Sequence, residues 1–131
     1  MIIDHFGLGV ADYEAAKSFY RRALAPLGIG LLTELEAADN GGVRAAGFGR
    51  APDPEFWIGS DGLTTPRTHI AFVARTREEV AAFHAAALEA GGVDNGAPGL
   101  RPEYHAHYYA AFVRDLDGHN IEAVCHAPET A

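Results

Sequence analysis

Two stretches of the chain pass from a short strand-like run into a helical period in the same order. From His5 to Ile29, "HFGLGVADYEAAKSFYRRALAPLGI", the apolar positions Ala16, Phe19, Tyr20, Ala23 and Leu24 recur on one helical face. From His69 to Val93, "HIAFVARTREEVAAFHAAALEAGGV", Val80, Phe83, Ala87 and Leu88 do the same. Asp12 and Thr76 stand where an N-cap is needed. Glu78 and Glu79 suit the positive end of the second helix dipole, and Gly91 and Gly92 supply a left-handed stop. Each stretch therefore predicts a strand, a turn and a helix with one buried side.

The two stretches superpose without a gap at an offset of 64, the separation of His5 from His69. Identities fall at His5/His69, Glu14/Glu78, Phe19/Phe83, Ala23/Ala87, Leu24/Leu88 and Gly28/Gly92. Further strand candidates follow each helix: "IGLLTEL", "VRAAGFG" and "EFWIG" in the first half, a glycine-rich stretch, "HYYAAFV" and "NIEAV" in the second. Each half reads as a βαβββ module, about residues 1–60 and 66–127, with "GSDGLTTPR" from Gly59 to Arg67 as the link. Neither half of about 60 residues buries enough surface alone. The prediction is a single α+β domain over residues 1–131: two βαβββ modules sharing one cup-shaped mixed sheet, with the helices outside it. "AGGVDNGAPGLRPEY" carries four Gly and two Pro in 15 residues and is expected to be a flexible loop.

Composition narrows the partners. Ten Lys plus Arg against 18 Asp plus Glu give a net charge of −8, which offers no basic stripe to a phosphate backbone and excludes nucleic acid. No apolar run approaches the roughly 20 residues a bilayer requires, and "MIIDHFGLGV" lacks the pattern of a signal peptide, so a cytoplasmic protein without a membrane partner is expected. The lone Cys125 excludes an internal disulfide framework and reads as a strand thiol.

Candidate chemistry gathers on the repeat. His5 and His69 head equivalent strands, and Glu122 lies in the last strand, where alternation puts Asn120, Glu122 and Val124 on one face. If pseudo-twofold symmetry brings the first strands together, His5, His69 and Glu122 converge. Two imidazoles and one carboxylate form a set that leaves positions open for substrate on a divalent Zn, Ni, Mn or Fe ion. Subtracting 64 from Glu122 gives Ile58, beside Trp57, so the first half is expected to offer an apolar wall there. "YHAHYY" puts His105, His107 and Tyr109 on one face as pocket lining. His126 shares the parity of Glu122, and Arg101 is placed to meet an anionic substrate group. His84 is expected in solvent and His119 in a turn.

The βαβββ repeat, the histidine at each first strand and "FVRDLDGHNIEAV" resemble the vicinal oxygen chelate superfamily, which includes glyoxalase I, extradiol dioxygenases, and fosfomycin and bleomycin resistance proteins. The most specific segment is Asp115, Asp117, Gly118, Asn120 and Glu122, with Leu116 where the family usually has Pro. The resemblance implies that His5, His69 and Glu122 are metal ligands and that the chain forms a homodimer. It implies a metal-dependent enzyme, of the lactoylglutathione lyase kind or a dioxygenase, acting on an oxygen-chelating small molecule. Glyoxalase I enzymes usually add a Glu in the last strand of the first half; "PEFWIG" has Trp57 and Ile58 there, with Glu55 too early. The resemblance leaves two other readings: a metal-free protein that sequesters a ligand, as bleomycin resistance proteins do, and an extradiol-type dioxygenase. It does not assign a catalytic residue.

Overall fold

The computed structural model describes residues 3–129. Eight strands and two helices follow one another as β1 (Phe6–Gly9), α1 (Tyr13–Leu24), β2 (Gly30–Leu35), β3 (Ala45–Gly49), β4 (Phe56–Gly59), β5 (His69–Val73), α2 (Arg77–Glu89), β6 (Val93–Leu100), β7 (Tyr109–Arg114) and β8 (Asn120–Cys125). Both N-caps form as their residue types require. The Asp12 carboxylate accepts from Ala15 N at 3.0 Å, and Thr76 Oγ1 accepts from Glu79 N at 3.1 Å. No helix among the described residues is long and apolar enough to cross a membrane.

Each module is a four-stranded mixed sheet with the same order, β1-β4-β3-β2 and β5-β8-β7-β6. In both, the first strand runs parallel to the last and forms the sheet edge, while the remaining pairs are antiparallel. The fold is thus α+β with two βαβββ modules. The expected single sheet is instead two, because β1 and β5 each pair only with the last strand of their own module.

Each helix packs on the sheet of its own module. α1 packs on β2 and β4, α2 on β6, β7 and β8, and the helices pack on each other. The cause is that both apolar stripes face one shared core, in which Phe19, Tyr20, Leu24, Phe48, Ile58, Val80, Phe83 and Ile121 are fully buried. Phe56 of β4 meets Phe72 of β5 edge-on at 5.2 Å between ring centroids, joining the modules. Pairs of this kind contribute about 0.5–1.5 kcal/mol beyond the area they bury. The Tyr20 hydroxyl donates to Asp115 across the same boundary. Each sheet therefore keeps its second face free of helices.

The glycine-rich stretch is not a loop throughout. Val93–Leu100 forms β6, an edge strand on β7 whose register slips on both sides of Gly96. Backbone pairing replaces the missing apolar alternation, and an edge strand tolerates Pro98. Gly96, at φ 153°, is required there: a Cβ would stand 2.9 Å from the Phe112 ring. Conversely, the strand expected from His107 starts only at Tyr109, and the preceding residues turn.

Candidate functional site

Register decides which side chains share a free face. In the second sheet His69 pairs with Asn120, Ala71 with Glu122, and Glu122 with Phe112. His69, Asn120, Glu122 and Phe112 therefore point away from the helices, while Ile121, Ala123 and Val113 point into the core. In the first sheet Gly7 pairs with Trp57 and Trp57 with Gly47, so Trp57 and the preceding His5 share the free face there. Ile58 is fully buried on the helix side, so the wall expected of both residues is carried by Trp57.

On the second sheet, Glu122 is buried to 1% exposure yet charged chemistry surrounds it. His69 Nε2 lies 3.0 Å from Glu122 Oε1, and the Tyr108 hydroxyl donates to Glu122 Oε2 at 2.5 Å. Burial, followed by this bond to a carboxylate, pushes the Tyr108 hydroxyl up to about 12. His69 Nδ1 stands 3.2 Å from the Asn120 carbonyl. A carbonyl only accepts, so Nδ1 carries a proton, and Nε2 faces a carboxylate oxygen. That contact is repulsive unless a cation, a proton or a metal ion, stands between the two atoms.

The other expected lining residues divide. His105 and His126 stack over the end of β8, with His105 Nε2 at 2.8 Å from His126 Nδ1, and Tyr108 packs edge-on against His126. The His107 backbone N donates to His105 Nδ1, which leaves the proton on His105 Nε2 and makes the pair an ordinary N–H···N bond. His107 itself is exposed in the turn. Arg101 donates to the carbonyls of Ala97 and Gly99 and lies over Phe112 at 5.4 Å. Tyr109 turns to the helix side, under the Arg77 guanidinium at 5.0 Å. The tyrosine that reaches Glu122 is its neighbour Tyr108, one residue and one face away; no residue pattern marks it, because the segment before β7 has no strand alternation to read. His84 bonds Asp94 at 2.9 Å, and His119 is buried in the turn, accepting from Thr68 N at 2.9 Å.

Within one chain, His69 and Glu122 come together and His5 does not join them. His5 stands on the first sheet, its Nδ1 2.7 Å from Asp4, beside a concavity of about 880 Å³ that Trp57 also lines. Among the described residues no group of three His, Cys, Asp or Glu side chains is arranged to hold a metal ion.

The family model for the Glyoxalase/Bleomycin resistance protein/Dioxygenase superfamily matches residues 2–123. No curated protein matches the chain. Among solved structures, a glyoxalase/bleomycin resistance protein from Albidiferax ferrireducens T118 is 30% identical over 97% of this chain and 100% of its own, with a TM-score of 0.77. A glyoxylase/bleomycin resistance protein/dioxygenase domain from Frankia sp. EAN1pec shares the fold at 15% identity, over 97% of this chain and 98% of its own, with a TM-score of 0.73. Glyoxalase I from Zea mays does so at 18% identity and a TM-score of 0.69, the match covering 98% of this chain and 45% of that one.

Proposed function

The chain belongs to the glyoxalase/bleomycin resistance protein/dioxygenase superfamily, and we propose that it is a small divalent-metal-dependent enzyme acting on an oxygen-chelating small molecule. The observation that carries this reading is the pairing of His69 Nε2 with Glu122 Oε1 at 3.0 Å while Nδ1 is committed to a carbonyl. With Nδ1 as the protonated nitrogen, a metal ion in place of a proton between the two atoms would take a lone pair from each. Their separation is that of two neighbouring donors with bonds of about 2.1 Å meeting near a right angle. A ligand histidine characteristically donates its second nitrogen to a carbonyl or carboxylate, as His69 does to Asn120.

The third ligand in this reading is His5 of a second copy. His5 and His69 both head edge strands, both look onto faces free of helices, and those faces belong to different sheets of one chain. A homodimer that sets the first sheet of one chain beside the second sheet of its partner brings the imidazoles together. Exposed Phe6 on β1 and Val73 on β5 are apolar side chains at those edges, available for cover.

A bound divalent ion would supply Lewis-acid polarisation of a substrate's chelating oxygens. The chain's own part is to hold it and its surroundings. Glu122 supplies the anionic donor, and the Tyr108 hydroxyl occupies Oε2, which leaves Oε1 as the free oxygen. Phe112 flanks the His69 ring, with 6.2 Å between centroids and 26° between the ring planes. Elemental analysis of protein purified without chelator or added metal tests the reading; a chain that neither carries nor takes up a divalent ion is a ligand-sequestering protein instead.

A further inference from the structure

His119 is fully buried, and among the described residues its ring makes a single polar contact. Nδ1 accepts from the Thr68 backbone N–H at 2.9 Å, so the ring proton sits on Nε2, which is buried without a partner. An unpaired buried N–H is unfavourable, and an apolar side chain at this position would avoid it. What the imidazole supplies is an acceptor for the residue that precedes His69.

The contact belongs to a set of three. The Thr68 carbonyl accepts from Asn120 N at 2.9 Å, and His69 Nδ1 stands 3.2 Å from the Asn120 carbonyl. Thr68 and His69 are thus tied to His119 and Asn120 through a side chain, a backbone bond and the His69 ring. The turn holds His119 in place as well: its N–H donates to the Asp115 carboxylate at 2.8 Å, and its carbonyl accepts from Asp115 N at 3.0 Å.

The first module offers the comparison. Phe6 pairs with Phe56 as Ile70 pairs with Ile121, so Pro54 stands where the second module has His119, and Asp4 where it has Thr68. Proline has no side-chain acceptor. There the first strand begins one residue later, since β5 opens on His69 whereas β1 opens on Phe6, after His5. His5 Nδ1 lies 2.7 Å from the Asp4 carboxylate, not on the carbonyl of Glu55, the counterpart of Asn120.

We propose that His119 is a positioning residue for His69: by holding the Thr68 amide it extends β5 to His69 and seats that ring with Nδ1 on the Asn120 carbonyl and Nε2 3.0 Å from Glu122 Oε1. The inference rests on the reading of His69 and Glu122 as the functional pair, and it names the residue that aims the histidine. A side chain held from outside in this way has less ordering left to undergo when it binds.

The test is nuclear magnetic resonance on the full-length, nitrogen-15-labelled chain, with a chelator present, comparing the parent with His119→Leu and His119→Asn. Leu fills space without an acceptor, whereas Asn places Oδ1 where Nδ1 stands. One readout is hydrogen exchange of the Thr68 amide against that of Ala74, which donates to the Val124 carbonyl at 2.8 Å beyond the far end of β5. The other is the ring nitrogen shift of His69 at about pH 9, which reports whether Nδ1 carries a proton, with exposed His107 as the untethered reference. In the parent, both amides are expected to be protected and His69 Nδ1 protonated. In His119→Leu, Thr68 is expected to exchange about tenfold faster with Ala74 within about threefold of the parent, and His69 Nδ1 to approach His107. His119→Asn is expected to restore both readouts.

Equal losses at Thr68 and Ala74, a His69 ring unchanged in His119→Leu, or no rescue by Asn overturns the inference and leaves His119 a core residue. The parent decides even if His119→Leu does not fold, because an unprotected Thr68 amide or an unprotonated His69 Nδ1 overturns it equally. These readouts need no metal, so their failure leaves the metalloenzyme reading to its own assay. A chain that takes up no metal yet shows the expected shifts fails that reading alone.

Discussion

Trp57 occupies in the first module the register position that Glu122 occupies in the second: Gly7 pairs with Trp57 as Ala71 pairs with Glu122. The two residues are 65 apart, not 64, so the first module is one residue shorter between its first and last strands than the ungapped repeat suggests. The consequence is that a carboxylate at position 57 faces the site, whereas one at position 58 faces the core.

Trp57→Glu is therefore expected to add a fourth donor and to tighten divalent-metal binding by about tenfold or more, close to 1.4 kcal/mol. Ile58→Glu is expected to unfold the chain, because it buries a carboxylate among α1 and the first sheet. Metal competition assays and thermal melts check the pair. Equal behaviour of the two variants contradicts the register.

Tyr108→Phe keeps the ring that packs on His126 and removes the hydroxyl that Glu122 Oε2 accepts from. Leaving a buried carboxylate oxygen without its donor is expected to cost roughly 1–3 kcal/mol of stability. Denaturant titration reads this loss. A variant as stable as the parent shows that water or another group replaces the hydroxyl.

Asp115 accepts from the Tyr20 hydroxyl and from the backbone N–H groups of Asp117 and His119, and it is buried. Asp115→Ala is expected to lower stability by roughly 2–5 kcal/mol, since three donors lose their partner at the junction of the modules. The thermal midpoint measures it, and a change under 1 kcal/mol contradicts the role given to this turn.

Tyr13 gives the chain an alkaline limit. Burial first, and then its bond to Glu34 at 2.9 Å, push its hydroxyl from 10.0 to about 12. The folded state holds the proton more tightly than the unfolded state. Stability from this group is therefore complete below pH 10 and falls as pH rises toward about 12. Tyr13→Phe is expected to show a shallower loss over that window in denaturant titrations at stepped pH; an unchanged slope contradicts the assignment.

Much of the fold is legible in the sequence because the repeat writes it twice. Asp12 and Thr76 mark the helix starts, and the stripes Ala16–Phe19–Ala23 and Val80–Phe83–Ala87 mark the buried sides. What periodicity does not carry is where two buried sides meet. Both helices face one core, so the sheets separate, and nothing in either stripe distinguishes one continuous sheet from two. β6 is hidden for a related reason: an edge strand held by backbone pairing and close-packed glycine has no apolar alternation. At the site, His69 and Glu122 were readable from strand position and parity, and the structure pairs them. Tyr108 was not, because it stands in the turn before β7. His5 has the right position in its own module, but a single chain's sequence does not state which copy it serves.

That question has a direct answer by complementation. If each site takes His5 from one copy and His69 with Glu122 from the other, a mixed dimer of His5→Ala and Glu122→Gln chains contains one intact site and one doubly altered site. Mixing the two inactive variants is expected to restore up to half of the parental metal capacity per mixed dimer, at twice the 13.9 kDa chain mass by light scattering. No recovery on mixing, or a monomer at micromolar concentration, contradicts the shared site.

The central claim, that His69 and Glu122 hold a divalent ion, is tested most directly by the metal affinity of the parent and of Glu122→Gln, measured side by side with Zn, Ni, Mn and Fe(II). Gln keeps the shape and the acceptor for Tyr108 but removes the anionic donor. The expected result is about one ion per parental chain, with affinity lowered at least tenfold in the variant. A parent that binds none of the four, or a variant that binds as tightly as the parent, contradicts the claim.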